Sequence, residues 1–438
     1  MPKGALWRHP DFLRLWTGQT ISNFGDKISL VALPTVAVVV LHGGAFEAGV
    51  LGALRFLPYL VFGPFAGMLA DKLSKRRTMI WADAGRLAAL ASIPAAWGMG
   101  ALTMAHLYVV AALVGVLTVF FEVSYQSYVP ALVGRAGLYE ANSKLQMSRS
   151  SSQVFGSALG GLLMQLLGSA LAVLADALSF LLSAISLVLM KHREEAAPAP
   201  AGDRPSPGAQ LREGLSALFG VRLLRDLMCS STLGNTGASM GAALVLVFAY
   251  HEGGLTPGEV GLAFAVGGAG FIVGAAVATR VAAAVRLGPA ITACPVLAGI
   301  GYLVVPGLGP STALVGLAVT QFLVGVAQSM YNIHVMSLVQ SVTPQHLLGR
   351  VSGGAMTLVM GSMALGSMIG GLLGGVIGVP AALVVSGALL VASSVFLLAG
   401  PVVRMAKQPS ADDAGQDARE ERTDEPEPSV AAAASETP

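Results

Sequence analysis

Eight ionisable residues stand inside long apolar runs: Asp26, Lys27, Arg55, Asp83, Arg86, Glu122, Arg149 and Asp176. A charge at the centre of a hydrocarbon layer costs about 2.5–3.5 kcal/mol even on an insertion scale, so such groups are expected to meet a partner, an aqueous cavity or a travelling ion. Carboxylates in that setting can take up and release protons. Asp26 is the leading candidate proton carrier. It lies about 21 Å along its helix at 1.5 Å per residue. Gln19, Ser22 and Asn23 precede it at helical spacing, making a polar stripe. Arg55, at a comparable depth in the next run, is the expected neighbour, and the two read either as a proton-coupling pair or as a structural ion pair. Glu122 and Arg149 are the second coupling pair, as a conformational lock or with Glu122 receiving a cationic substrate. Asp83 and Arg86, three residues apart, read as a brace, and Asp176 reads as a helix-packing residue.

All eight fall in the first half of the chain. The second half offers uncharged polar groups instead: Asn235, Gln321, Gln328, Tyr331 and Asn332. With Asn23 and Gln126 from the first half, they are the candidate walls of a substrate cavity, apolar for the most part and punctuated by hydrogen-bonding groups. No nucleotide-binding loop and no His, Cys or carboxylate cluster with metal-ligand spacing occurs, so no enzyme activity, metal or cofactor is expected. Cys229 and Cys294 sit in separate apolar runs and read as buried thiols. No basic patch interleaved with aromatics suggests nucleic acid as a partner.

The elements that must hold these residues follow from composition. Of 438 residues, 54% are hydrophobic and 11% charged, against about 25% charged in soluble domains. The apolar runs are long and uninterrupted, which points to membrane-spanning helices rather than a barrel. Twelve spans are predicted, at 12–41, 47–70, 78–98, 106–128, 144–167, 170–190, 223–250, 258–279, 288–306, 311–336, 351–376 and 380–403. The basic residues support that count. With both termini in the cytoplasm, 22 of the 26 Lys and Arg fall on the cytoplasmic side and the other four lie within spans, as the positive-inside rule requires. The N-terminus lacks a short apolar stretch with a small-residue cleavage site, so no secretory leader is expected. The reading is therefore an all-α polytopic protein of the cell membrane.

The halves resemble each other. Gly156-Ser157-Ala158-Leu159-Gly160-Gly161 returns as Gly366-Ser367-Met368-Ile369-Gly370-Gly371, Asn23-Phe24-Gly25-Asp26 faces Asn235-Thr236-Gly237-Ala238, and Gly63 and Gly67 are matched with Gly270 and Gly274. The expected organisation is two pseudo-symmetric six-helix bundles, 1–192 and 223–404, joined by a cytoplasmic linker at 193–222 and followed by a disordered acidic tail at 405–438. Two such halves around a central site suit a secondary transporter.

The loop after the second run reads Gly67-Met68-Leu69-Ala70-Asp71-Lys72-Leu73-Ser74-Lys75-Arg76-Arg77. It resembles the signature loop of the major facilitator superfamily, with Gly67, Asp71, Lys72, Arg76 and Arg77 matching and Ser74 in place of the usual glycine. Val129-Pro130 with Glu140-Ala141-Asn142, Thr343-Pro344 with Gly349-Arg350-Val351, Asp83 with Arg86, and Asp176-Ala177-Leu178-Ser179-Phe180 make it similar to the bacterial branch of siderophore and macrolide efflux permeases. That resemblance implies proton-driven export of small hydrophobic molecules by alternating access, with the loop as a conformational element and a small molecule, protons and the bilayer as partners of a monomer. Gly156 to Gly161 also resembles the end of the antiporter motif, with Ser157 where that motif has proline. Two other readings stand beside it: an uptake symporter for a metabolite, and a non-transporting membrane sensor.

Overall fold

Glycine and proline divide the chain as the apolar runs suggest. The structure, a computed structural model, describes residues 5–191, 207–343 and 347–406, without the side chains of 5, 64–72, 135, 136, 139, 207, 210 and 211. Among the described residues it is all helical, with α1 Pro10–Thr35, α2 Ala45–Lys72, α3 Lys75–Gly98, α4 Met104–Gly134, α5 135–167, α6 Ser169–Val188, α7 Pro207–Gly220, α8 Arg222–His251, α9 Pro257–Val285, α10 Leu287–Val304, α11 Ala313–Val342, α12 Leu348–Ile377 and α13 Val379–Ala399. The signature loop, the residues 193–206 of the linker and the tail from 407 fall wholly or partly outside this description. So do Gly67 and the side chains of Asp71 and Lys72.

Local chemistry sets the helix ends. Thr256 and Glu259 form a reciprocal capping box ahead of α9, satisfying two amides that have no partner within the helix. Ser74 caps α3, its Oγ accepting from the Arg77 amide at 3.4 Å. This explains why serine serves at the loop position where glycine was the norm of the resemblance: an N-cap favours a hydroxyl. Gly134, at φ 65°, breaks the long helical run between α4 and α5, a left-handed conformation that a side chain would resist. The helix that carries the fifth span therefore begins before residue 144.

Ten of these helices are long and apolar enough to cross a membrane by length and composition. The remaining two of the twelve expected are α3 and α5. Asp83 and Arg86 lower the apolar character of α3, and Ser150, Ser151, Ser152 and Gln153 that of α5. Both are nonetheless packed among the others. One helix was not foreseen: α7 lies within the stretch read as linker. Its Glu213 pairs with Arg350 at the start of α12, and Gly214 abuts the Arg350 backbone.

The packing repeats between halves. Gly156 and Gly160 let α5 lie on α1, against Lys27 and Ile28, and Gly161 meets Gly261 on α9. In the second half Gly366 and Gly370 let α12 lie on α8, against Thr236 and Met240, and Gly371 meets Gly49 on α2. The same three glycines thus perform the same three contacts, two within a half and one across. Of the third sequence match only the Gly63–Gly270 pair is described, and the two glycines do not share a contact. A Cβ at Gly63 would meet nothing, whereas Gly270 is pressed onto the Phe322 backbone. Gly49 and Gly261, not Gly63 and Gly270, are the equivalent positions in α2 and α9.

Candidate functional site

The α1 polar stripe finds its partner in α6. Asp176, Ser179, Ser183 and Ser186 recur at helical spacing along α6, and α1 presents Gly18, Gln19, Ser22, Gly25 and Ser29 to that side. A Cβ at Gly18 would strike Ser186 and one at Gly25 would strike Ser179 and Asp176. Gln19 Nε2 donates to Ser183 Oγ at 3.5 Å. Small hydroxyl residues permit close approach and hydrogen bonding between helices in an apolar medium. The Gln19 and Ser22 side of the stripe therefore lines a helix contact, while Asn23 and Asp26 are half-buried beside it.

Asp26 and Lys27 are half-buried next to this contact. Among the described residues no ion pair joins Asp26 to Arg55. Instead Lys27 lies within electrostatic reach of Arg55, Asp26 and Arg149. The separation follows from helix geometry, because adjacent residues point about 100° apart and Lys27, on the α5 side of α1, stands among the cations. Glu122 and Arg149 are brought together, at 3.6 Å, with Arg149 47% and Glu122 30% exposed at the side chain. This pair is partly exposed, unlike the Asp83–Arg86 pair, which is enclosed. The Arg86 guanidinium is bonded to Asp83 and lies between the rings of Phe121 and Phe180, 4.4 and 4.1 Å from their centroids.

A small pocket, part-open to its surroundings, lies within the second half, between α8, α10, α11 and α13. Three sequence candidates line it: Asn235, Gln328 and Tyr331. Tyr331 OH lies 3.0 Å from Ser231 Oγ and donates to Ser230 Oγ at 3.2 Å, and Asn235 Nδ2 donates to the Ser231 carbonyl at 2.8 Å. Ser230, Ser231, Cys294 and Ser393 complete the polar wall, and sequence reasoning missed all four as cavity residues. The signal for two of them was present, since Ser230 and Ser231 precede Asn235 by one helical turn. Asn332 stands outside the cavity, accepting from Gln328 Nε2 at 3.3 Å. Gln321 packs on Gly267 of α9. Asn23 and Gln126 lie in the first half, Gln126 exposed and Asn23 half-buried.

The halves are joined on the side away from the N-terminus. Thr35 Oγ1 lies 2.8 Å from Tyr250 OH, and Val38, Ala48 and Val247 pack with Tyr250 and Val379. With the Gly161–Gly261 and Gly49–Gly371 contacts this closes that end. Toward the other end, Leu60, Met147 and Phe155 remain exposed.

Of the described part of the signature loop, Arg77 is exposed, while Arg76 donates through Nε and Nη2 to the Leu187 and Val188 carbonyls at 2.8 and 2.7 Å. A cation bonded to the last carbonyls of α6 also opposes the negative end of its dipole. Arg76→Ala is expected to lower stability by about 1–2 kcal/mol, and Arg76→Lys to retain part of it, read by thermal unfolding of the detergent-solubilised protein.

Residues 15–357 match the model of the Major Facilitator Superfamily. The chain is 26% identical over 415 residues to the uncharacterized MFS-type transporter YfiS of Bacillus subtilis, covering 91% of this chain and 95% of that one. It is 28% identical over 375 residues to the multidrug efflux pump Tap of Mycobacterium tuberculosis, covering 83% and 87%. Among solved structures it is similar in fold to the nucleoside transporter NupG, at a TM-score of 0.70 and 14% identity over 89% of this chain and 98% of that one. A bacterial homologue of the iron transporter ferroportin, in an inward-facing state, gives a TM-score of 0.70 at 15% identity over the same shares.

Proposed function

The chain belongs to the Major Facilitator Superfamily of transporters, and from that premise we propose that it is a proton-coupled exporter of small hydrophobic organic molecules. It acts in the cell membrane as a monomer, with both termini in the cytoplasm. The observation that carries this reading is the asymmetry of the two halves. Ionisable groups that can exchange protons, Asp26 and Glu122, lie in the first, while the cavity in the second is lined by hydroxyls, amides and apolar carbon. An uncharged cavity of that kind suits a hydrophobic molecule with a few hydrogen-bonding groups and offers no cation to hold an organic anion. Similarity to a multidrug efflux pump points the same way.

In this mechanism the bundles 1–192 and 223–404 rock about the α2–α12 and α5–α9 contacts, and the linker 193–222 spans them on the cytoplasmic face. With the far side closed by Thr35 and Tyr250, the cavity faces the cytoplasm and takes substrate from there. A proton bound from outside then exchanges with substrate: protonation of Asp26, or of Glu122 with release of Arg149, changes the balance of charge among Lys27, Arg55 and Arg149. Each charge state favours a different packing of the halves, and a ligand shifts the balance by its difference in affinity for them.

The experiment is substrate uptake into inverted vesicles under an imposed pH gradient, with a panel of hydrophobic dyes. Wild type is expected to accumulate dye when the lumen is acidic, and collapse of the gradient should remove the accumulation. Asp26→Asn is expected to lower gradient-driven uptake at least tenfold, and Glu122→Gln to lower it less. Gradient-driven uptake left intact in both variants would remove these residues from the coupling step. Gradient-driven accumulation by whole cells rather than depletion would instead favour import.

A further inference from the structure

The pocket between α8, α10, α11 and α13 is small and part-open, so it admits one end group of a ligand rather than a whole molecule. Its walls send their hydrogen-bond donors into the protein. The Tyr331 hydroxyl gives its one proton to Ser230 Oγ at 3.2 Å. In the contact with Ser231 Oγ at 3.0 Å the serine therefore donates and the phenol oxygen accepts. Ser393 Oγ donates to the Leu390 carbonyl at 2.7 Å, and Cys294 Sγ to the Ala290 carbonyl at 3.2 Å. Asn235 Nδ2 donates to the Ser231 carbonyl at 2.8 Å, and a carbonyl can only accept, which fixes which end of that amide is nitrogen. Gln328 Nε2 donates to Asn332 Oδ1 at 3.3 Å. Pro295, in the α10 wall, has no amide proton to give.

A hydroxyl carries one proton and two lone pairs, and an amide oxygen two lone pairs. Ser231, Tyr331 and Ser393 have given away their only proton. Asn235 and Gln328 keep one N–H each, set against an oxygen that bonds to nothing among the described residues. Ser230 alone of the hydroxyls keeps an uncommitted proton, and it is 1% exposed. Lone pairs thus exceed protons on these walls, and no charged residue lines them. We propose that the pocket selects its substrate by an end group that donates hydrogen bonds, an O–H or N–H, and rejects the same molecule with that group capped. Asn235 Oδ1, Gln328 Oε1 and Ser393 Oγ are the specificity-determining acceptors. An ether, ketone or ester end would strip water from these oxygens and return nothing to them, and a site built to bond a hydroxyl rejects the analogue that lacks it. The apolar body of the ligand stays outside, beyond the edge where Gln328 meets the exposed Asn332. The inference rests on the reading of this pocket as a substrate site, and its test reads binding with no gradient applied.

Two pyrene dyes make the test, one ending in a hydroxyethyl arm and the other in the methyl ether of that arm. Binding to the purified protein is measured by equilibrium dialysis. The ether is the more apolar, so burial alone would favour it. The alcohol is nonetheless expected to bind about tenfold tighter or more. Gln328→Met combined with Ser393→Ala should bring the two dyes within about threefold of each other. Gln328→Glu keeps acceptor oxygens at that place and loses the N–H, so the preference for the alcohol should persist. Equal binding of the two dyes by wild type would overturn the proposal. So would a preference that survives Gln328→Met with Ser393→Ala in a protein that melts as wild type does. Loss of the preference in Gln328→Glu would assign the discrimination to the amide N–H and overturn it as well. If the preference holds and neither dye is driven by a pH gradient, the export reading falls and the selectivity of the pocket stands. If both dyes are exported and bound alike, the selectivity falls and the export reading stands.

Discussion

Arg86→Met should be the most destabilising single substitution in the first half, and adding Asp83→Asn should recover more than half of the loss. Asp83 is 0% and Arg86 2% exposed at the side chain, so removing the cation leaves an enclosed acid without its ion-pair partner. Breaking one member of a buried pair costs about 3–5 kcal/mol, whereas replacing both members is often close to neutral. The geometry sharpens that contrast. Asp83 Oδ2 and Arg86 Nε have no hydrogen-bond partner, so the pair is only partly satisfied and its net contribution is small. The guanidinium also lies between two aromatic rings, where methionine keeps part of the packing and loses the cation–π attraction of roughly 1–2 kcal/mol. The measurement is a double-mutant cycle on unfolding in micelles: a coupling energy near the single-mutant loss is expected. Equal losses for Arg86→Met and the double variant would show that Arg86 acts through another group, and Glu122 and Asp176, both within its electrostatic reach, are the groups to examine.

Much of this architecture is legible in the residues because bilayer physics constrains them severely. Apolar length sets span positions, and the placement of Lys and Arg sets their order. The partnership of residues across helices is less legible. The polar stripe of Gln19, Ser22, Asn23 and Asp26 does not name its neighbour, because a face is polar both when it meets water and when it meets a row of serines. Only the register of α6, with Ser179, Ser183 and Ser186 in line with Asp176, decides between them. Likewise Asp26 and Arg55 have matching depths, and depth says nothing of azimuth, so it does not decide which of Asp26 and Lys27 stands toward Arg55. The Glu122–Arg149 pairing was accessible, because two opposite charges at equal depth on successive helices have few other partners. The cavity was half accessible. Amides and tyrosine stand out in an apolar helix, whereas Ser230, Ser231, Ser393 and Cys294 have the residue types of ordinary helix packing.

A side chain at Gly161 should largely abolish transport while leaving the fold in place, and one at Gly371 should do the same. On the side away from the N-terminus, Gly161 and Gly261 join α5 to α9, and Gly49 and Gly371 join α2 to α12, backbone against backbone. A Cβ at either member would fall on the Cα of the other, so the helices must part. Each half keeps its own contacts through Gly156 and Gly160, or Gly366 and Gly370, which is why folding should survive. The closed arrangement loses its closest cross-half contact, and the balance moves toward states in which this side is open. A shift from 1:99 to 99:1 takes about 5.5 kcal/mol, within reach of two overpacked contacts at roughly 1–3 kcal/mol each. Gly161→Leu and Gly371→Leu are each expected to lower gradient-driven dye uptake more than tenfold, and together to leave none. The direction of the shift can be read separately. Cys229 and Cys294 are the only thiols in the chain, so a background with both replaced by serine lets a single reporter, Thr35→Cys, sit at the closed end beside Tyr250. A membrane-impermeant maleimide applied from outside should label that reporter faster in the leucine variants than in their parent. Labelling unchanged while transport falls would mean that the glycines set packing within the halves and not the opening of this side. Labelling faster in Gly156→Leu as well would assign the effect to general loosening, because a side chain at Gly156 would meet Lys27 and the Phe24 carbonyl on α1, within one half.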